Sequence, residues 1–136
     1  MTRNKYFIIH IHSFYILRRL IVRSEIEVFK ALGDENRVRI AMMLRERPMC
    51  VCEIDSVLDI ALSTVSSHLK ILKTSGIIRD KKDGRWVIYS INEENGFVAE
   101  ILDIFEKKLA EDVVLSGDRI KLSTLPESVC TKYQSV

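Results

Sequence analysis

The sequence predicts a mainly α (α+β) fold, a winged helix-turn-helix with a two-stranded β-hairpin wing, assembled as a dimer. Three observations support this fold class. Two helical segments, the first of them short, meet at a tight turn within residues 50–75. A hairpin-turn pattern with basic residues around it follows at Asp83-Gly84. Apolar residues recur at helical spacing on both sides of this block, and 136 residues with 47% apolar content suffice for one domain.

The first two helices are predicted on either side of Gly33. Ser24 and Glu27 have the spacing of a capping box, which predicts a helix that begins at Ser24. Gly33 would end that helix, because glycine readily adopts the left-handed conformation that follows a helix. Asp34 is a good cap for a second helix, and Pro48 would stop it because proline lacks the amide proton that a helix interior needs.

The helix-turn-helix is predicted directly after Pro48. A short helix would run from about Cys50 to Leu58, and residues 59–62 would form the turn. Ser63 would cap the next helix, which Gly76 ends. The apolar residues of this second helix share one face, so its small polar residues lie largely on the outside.

A wing and a last helix complete the predicted domain. The β-rich runs 77–80 and 86–91 flank the turn residues, as the strands of a hairpin do. Asn92 would cap the last helix, and periodicity is weak from about Ser116 onward. The last helix carries an apolar stripe at positions Phe97, Ile101, Phe105 and Leu109. A stripe this apolar is unlike a solvated surface, so we expect a dimer interface there.

The domain boundaries follow from these elements. Residues 21–115 form the winged-helix domain, 116–136 a C-terminal tail, and 1–20 an N-terminal appendage, either a packing arm or an over-extended start of translation. The apolar run 7–17 is too short to cross a bilayer, and no cleavage site follows it. We therefore expect a cytoplasmic protein with reduced cysteines and no membrane partner.

The charge distribution points to DNA although the net charge is only +2. Residues 63–91 carry six Lys or Arg against two Asp, whereas the segments on either side are acidic. A solvated helix and a charged hairpin would explain each feature alone, but their order favours DNA binding. Base-edge contacts are expected from Ser63, Thr64, Ser66, Ser67 and His68. Phosphate contacts are expected from Lys70, Lys73, Lys81, Lys82 and Arg85.

Cys50 and Cys52 are the second chemical feature. Positions i and i+2 of a regular helix point about 200° apart, so a shared ion would require the helix start to be distorted. The positive end of a helix favours thiolate, and thiolates suit a thiophilic ion. Two buried structural cysteines are the competing interpretation. Cys130 lies in the tail and is either idle or a further ligand, and His10 and His12 are weaker ligand candidates.

Four segments in order resemble the ArsR/SmtB family of metal-sensing repressors. The family opening matches Phe29–Ile40, its arsenic-sensing cysteine motif Met49–Ile54, its recognition helix Leu62–Leu72, and its wing Gly76–Ile78 followed by Asp83–Ile91. The resemblance covers about residues 24–110. It implies a homodimeric winged helix that binds an inverted-repeat operator and leaves it when an inducer binds. It also implies a dimer interface from the first and last helices, formed by Ile26, Phe29, Phe97, Ile101, Phe105 and Leu109.

The inducer is only partly specified by the resemblance. Arsenic sensors often have Cys-x-Cys-x-x-Cys, but the third position here is Asp55. The zinc sensors place His on the last helix, and residues 92–115 contain none. The cadmium and lead sensors add cysteines from an N-terminal arm, and this arm has none. We expect As(III) or Sb(III) at Cys50 and Cys52, with Cys130, water or an exogenous thiol completing the site.

Other functions remain open at this stage. Thiol-redox or persulfide sensing with Cys130 as partner, and Cd or Zn sensing, would use the same fold. A thiol enzyme such as an arsenate reductase is disfavoured, because the sequence lacks the phosphate-cradling loop and βαβ context which that chemistry needs. An interaction module without DNA binding is disfavoured by the basic wing. We therefore expect no enzymatic activity.

Overall fold

The computed structural model describes residues 5–126 and 129–130. Its helices and strands, in chain order, are α1 (Lys5–Ala31), α2 (Glu35–Glu46), β1 (Met49–Cys50), α3 (Val51–Leu58), α4 (Leu62–Thr74), β2 (Ile78–Asp83), β3 (Trp86–Ile91), α5 (Gly96–Lys108) and α6 (Val113–Ser123). The order of α3, α4, β2 and β3 is that of a winged helix-turn-helix, which confirms the predicted fold class. Within the described part of the chain, no helix is both long and apolar enough to span a membrane.

Helix α1 is much longer than predicted. It extends from Lys5, so Ser24 lies inside the helix and the predicted start at Ser24 is wrong. The segment 5–31 contains neither glycine nor proline, so no helix-breaking residue stops the helix on either side of Ser24. Among the α1 side chains that the structure describes, the buried ones are Val28 and Ala31, near the end of the helix.

Helix α2 is the central helix of the domain. As predicted, Asp34 caps it, and its carboxylate accepts a hydrogen bond from the Arg37 amide at 3.1 Å. Five consecutive residues, Ile40–Leu44, are buried. Five consecutive residues cover every face of a helix, so the middle of α2 is surrounded by other elements of the domain.

The β-sheet has three strands instead of the two of the predicted hairpin. The order is β1-β3-β2, and all pairs are antiparallel. The wing hairpin β2–β3 is confirmed, with Asp83 paired to Trp86 across a two-residue loop. Gly84 begins that loop at a φ of 59°, a left-handed conformation that glycine adopts without strain. The unpredicted strand β1 has only two residues, too few to show a periodic pattern.

Two predicted helix caps are displaced by a few residues. The N-cap of α4 is Ala61, so Ser63 lies inside the first turn. The N-cap of α5 is Asn95, whose side chain accepts from the Val98 amide at 3.3 Å. Asn92 instead donates from Nδ2 to the Gly76 carbonyl at 3.0 Å and so closes the base of the wing. Tertiary contacts, not local cap preference, decided the outcome for Asn92.

Helix α6 spans the predicted boundary at Ser116 and occupies much of the segment that was predicted to be a C-terminal tail. Asp112 caps α6 by accepting from the Leu115 amide at 2.9 Å. Leu115 and Leu122 join the main core, and Asp118 is 3% exposed. Only three buried positions anchor this helix, which is why its periodicity is weak in the sequence.

Candidate metal centre and nucleic-acid interface

The three cysteines of the chain meet at one place. The sulfur atoms of Cys50, Cys52 and Cys130 all lie within 4.8 Å of one another. Cys52 contacts both of the other sulfurs. The structure pairs Cys52 in a disulfide with both Cys50 and Cys130, and one sulfur cannot form two disulfide bonds at once, so we describe the three residues together as a cluster of three sulfurs. This cluster is called the sulfur cluster below.

Each cysteine of the sulfur cluster comes from a different part of the fold. Cys50 is in strand β1, where it pairs with Ile88 of the wing strand β3. Cys52 lies in the first turn of α3, and Cys130 follows α6. Since the helix begins only at Val51, Cys50 is extended and its sulfur is not held opposite that of Cys52. The two sulfurs therefore come together without the distortion of the helix start that the sequence predicts.

The surroundings of the sulfur cluster are apolar and well packed. Cys50 is 4% exposed and Cys52 is 1% exposed, whereas Cys130 is partly buried. Val129 is buried against them. The partly buried residues that surround the cluster are Trp86, Ile88 and Leu125. Sequence reasoning missed the contribution of Trp86 and Val129, because nothing local indicates which side chains will surround a cysteine from another segment.

Hydrogen bonds fix the backbone around the first two cysteines. The Cys50 amide donates to Glu53 Oε2 at 2.9 Å, and Glu53 also pairs with Arg47 at 2.8 Å. Ser56 Oγ donates to the Cys52 carbonyl at 2.8 Å. The sulfurs are also near the N-terminus of α3, whose partial positive charge stabilises thiolate. Three cysteines held together in this way, once reduced to thiols, suit a soft ion that prefers sulfur ligands.

The histidines proposed as weaker ligands lie elsewhere. His10 and His12 are exposed on α1. Among the described residues, the group that could hold a metal ion consists of the three cysteines. Position 55 does not supply the third ligand of this group. Cys130 takes that place although it lies 78 residues from Cys52 in the sequence.

The outer face of α4 presents most of the predicted DNA contacts to solvent. The predicted DNA contacts that are exposed on this helix are Ser63, Thr64, Ser66, Ser67, Lys70 and Lys73. The exposed wing residues Lys81, Lys82 and Arg85 lie close to or within the hairpin loop. Short polar side chains on a helix, followed by a basic hairpin, match what base-edge and phosphate contacts need.

Three of the predicted contacts are engaged within the protein. The His68 side chain is only 12% exposed, and its Nδ1 lies 3.8 Å from Asp34 Oδ1, at the start of α2. His68 is thus turned towards the domain interior, and its predicted contact with a base edge is not supported. Lys73 Nζ pairs with Asp80 at 2.7 Å. Ser67 Oγ donates to the Ser63 carbonyl at 3.0 Å.

The predicted dimer residues lie on α1 and α5. Ile26 and Phe29 are 45% and 56% exposed. Phe29 makes an edge-to-face contact with Phe97, with ring centroids 5.6 Å apart. The partly buried members of the predicted α5 stripe are Phe97, Ile101, Phe105 and Leu109. These four residues pack partly against the domain's own core, so the apolar area left for a partner on α5 is smaller than the sequence suggests.

Comparison with known proteins agrees with this architecture. Residues 34–80 match the family described as bacterial regulatory protein, arsR family. The arsenic resistance transcriptional regulator ArsR1 of Pseudomonas putida is 34% identical over 103 residues, which are 74% of this chain and 78% of that protein. A cadmium resistance regulatory protein CadC homologue of Staphylococcus aureus is 41% identical over 70 residues. That match covers 51% of this chain and 58% of the CadC homologue.

A solved structure shows the same fold. The homodimeric winged helix-turn-helix DNA-binding domain of Mb0332 from Mycobacterium bovis superposes with a TM-score of 0.61 at 24% identity. The match covers 71% of this chain and 87% of that one. The fold and the sulfur cluster together define a winged-helix transcriptional regulator. The chain belongs to the ArsR family of bacterial regulatory proteins, a family of transcriptional regulators and not of enzymes.

Proposed function

We propose that the protein is a homodimeric repressor that binds operator DNA and is released when As(III) or Sb(III) binds to Cys50, Cys52 and Cys130. The observation that carries this proposal is the buried cluster of three sulfurs within 4.8 Å. As(III) and Sb(III) accept three thiolates, and Cys130 supplies the one that Asp55 does not. The names of the relatives, which include an arsenic resistance regulator, support the same class of inducer.

Two copies of α4 would read an inverted repeat. In a dimer with two-fold symmetry, equivalent helices enter the major groove about one helical turn apart, or a small multiple of it. The exposed Ile26 and Phe29 on α1 supply apolar surface for that dimer, and the fold neighbour Mb0332 is described as homodimeric. The wing residues Lys81, Lys82 and Arg85 would hold phosphates beside each half-site.

The position of the sulfur cluster suggests how the inducer acts. Cys50 belongs to a strand that pairs with the wing, Cys52 to the first helix of the helix-turn-helix, and Cys130 to the segment after α6. An ion bound by all three sulfurs ties these parts together. We propose that the tied geometry disfavours DNA, so the ion and DNA weaken each other's binding by the same factor.

The test is release of fluorescently labelled DNA, selected by the protein from a random pool, measured by anisotropy in reducing buffer. Arsenite, antimonite, cadmium, zinc and a persulfide donor are titrated side by side. Arsenite and antimonite should release the DNA, and Cys50→Ser, Cys52→Ser and Cys130→Ser should each bind DNA but lose that release. Ser56→Ala is the matched control, since it alters a side chain beside Cys52 without removing a sulfur. Full release from the Cys50→Ser/Cys52→Ser double variant would contradict the proposal.

The same cluster supports a second candidate, thiol oxidation. The sulfurs of Cys52 and Cys130 are in contact, so an oxidant could convert them to a disulfide with loss of two electrons and two protons. Release of DNA by diamide would favour oxidation over arsenite binding as the signal, if the protein mass also decreases by about two hydrogens. Cys130→Ser should abolish that mass decrease. Release by cadmium alone would instead favour the inducer class named for the CadC homologue.

A further inference from the structure

Helix α6 is attached to the core by a buried ion pair. Arg39 Nε lies 2.7 Å from Asp118 Oδ2, and Arg39 Nη2 lies 2.8 Å from Asp118 Oδ1. The planar guanidinium meets both carboxylate oxygens, which fixes orientation as well as distance. The hydrogen bond to Asp118 raises the pKa of Arg39 above its ordinary value. Among the described residues, Asp118 is the one charged side chain in the buried class.

The chain beyond α6 leads directly to the sulfur cluster. The helix ends at Ser123, and Cys130 follows seven residues later. Leu125 packs against both the main core and the sulfur cluster. The Val129 amide, next to Cys130, donates to the Pro126 carbonyl at 3.0 Å. The position of Cys130 therefore depends on the position of α6.

A second contact links α6 to the helix that contains Cys52. Lys121 Nζ donates to the Val57 carbonyl of α3 at 3.4 Å. This bond is longer than the Arg39–Asp118 contacts and uses a flexible side chain, so it constrains orientation less. The buried pair is consequently the stronger determinant of where α6 lies relative to α3.

We propose that Arg39 and Asp118 are positioning residues for Cys130, holding the C-terminal segment so that its thiol meets Cys52. This proposal rests on the three-sulfur site of the proposed function. Cys130 is 78 residues from Cys52, so without a fixed α6 the two thiols would meet only at the cost of closing a long loop. The ion pair provides that closure before any inducer arrives, which raises the effective concentration of Cys130 at the cluster.

The first test measures this effective concentration without a metal. In the full chain carrying Cys50→Ser, only Cys52 and Cys130 remain, and equilibration with reduced and oxidised glutathione gives the equilibrium constant for their disulfide. Each disulfide formed consumes one oxidised glutathione and yields two reduced molecules. Asp118→Asn should lower this constant by about tenfold or more, because it leaves Arg39 without its charged partner. Arg39→Lys, which keeps the charge but not the two-point contact, should have a smaller effect in the same direction.

The matched control breaks an ion pair between the same two helices at the surface. Arg119 of α6 lies 3.0 Å from Glu46 of α2, and both side chains are well exposed. Glu46→Gln should change the glutathione constant by less than about twofold. Circular dichroism reports whether each variant folds. If Asp118→Asn does not fold, the test relies on Arg39→Lys. Equal constants for wild type, Arg39→Lys and any folded Asp118→Asn would overturn the proposal.

The second test separates positioning from general destabilisation. Arsenite affinity is measured for wild type, Asp118→Asn, Cys130→Ser and the double variant. If Asp118 acts through Cys130, Asp118→Asn weakens binding only while Cys130 is present, so the two effects do not add. Additive losses would show a structural role and contradict the proposal. Failure of wild type to bind arsenite, with the glutathione result intact, would refute the proposed inducer and leave the positioning role standing.

Discussion

The α4–wing surface and the sulfur cluster are built in opposite ways. The α4–wing surface uses residues from one continuous stretch, 63–85, and its predicted DNA contacts other than His68 are exposed to solvent. The sulfur cluster combines residues 50, 52 and 130 and buries two of them almost completely. The first is a surface on which a ligand can settle from outside. The second is a packed site whose geometry depends on how distant segments are held.

This difference raises the question of which part of the protein couples DNA binding to inducer binding. The α4–wing surface and the sulfur cluster share the wing strand β3, since Cys50 pairs with Ile88 and Trp86 packs beside the cysteines. The positively charged wing tip adjoins this part of the hairpin, since Ile88 pairs with Lys81 and Trp86 pairs with Asp83 beside the turn. A change at the sulfur cluster can therefore alter the wing through one strand, without passing through the whole core. The following predictions test how independent the two regions are.

The largest effect should be the mutual weakening of arsenite and DNA. Trp86 is the single tryptophan of the chain and packs against the sulfur cluster, so its fluorescence should report arsenite binding. Saturating operator DNA should weaken arsenite binding by about 5- to 150-fold, the usual range of allosteric coupling. Arsenite should weaken DNA binding by the same factor. Unequal factors, or a fluorescence change that persists in Cys50→Ser/Cys52→Ser, would contradict a link through this cluster.

Removing basic residues from the wing should weaken DNA binding without affecting the sulfur cluster. Each lost phosphate contact should reduce the slope of log K against log[salt] by about 0.9, so the Lys81→Ala/Lys82→Ala/Arg85→Ala variant should lose about 2.7. Arsenite affinity in the absence of DNA should stay unchanged. Arg79→Ala is the control, since Arg79 pairs with Glu94 at the base of the wing. An unchanged salt slope in the triple variant would mean that the wing does not touch phosphates.

The sequence predicted the local elements well and the long-range ones poorly. The wing hairpin and the cap at Asp34 depend on a few neighbouring residues, and both are confirmed. The start of α1 and the cap at Asn92 were predicted from equally local patterns, and both predictions are wrong. Helix α1 continues through Ser24, and Asn92 forms a tertiary hydrogen bond with the Gly76 carbonyl instead of capping a helix. Cys130 was only one of several options for a third ligand. Its place next to Cys52 depends on α6, whose three buried positions give almost no periodic pattern.

Substitutions of His68 and Ser66 should affect different properties, although both residues lie on α4. Ser66→Ala should relax base preference by about 1 kcal/mol at one operator position, as expected for the loss of a direct base contact. His68→Ala should leave the preference unchanged and lower thermal stability, because this side chain packs inward beside Asp34. Binding-site selection from a random pool measures the first effect, and thermal unfolding measures the second. A changed base preference in His68→Ala would instead indicate that His68 contacts DNA.

The smallest effect on DNA binding should come from replacing Lys73, in contrast to Lys70 on the same helix. Lys73 Nζ lies 2.7 Å from Asp80, so its charge is already balanced within the protein, and an exposed pair of this kind contributes about 0.2–1 kcal/mol to stability. Lys73→Ala should leave the salt slope of DNA binding unchanged, whereas Lys70→Ala should reduce it by about 0.9. Asp80→Asn provides the reciprocal check, because it frees the ammonium group of Lys73 and should raise affinity slightly at low salt. A reduction of the slope by about 0.9 in Lys73→Ala would show that DNA displaces Asp80 from this lysine. The α4–wing surface would then rearrange on binding, as the sulfur cluster is proposed to do.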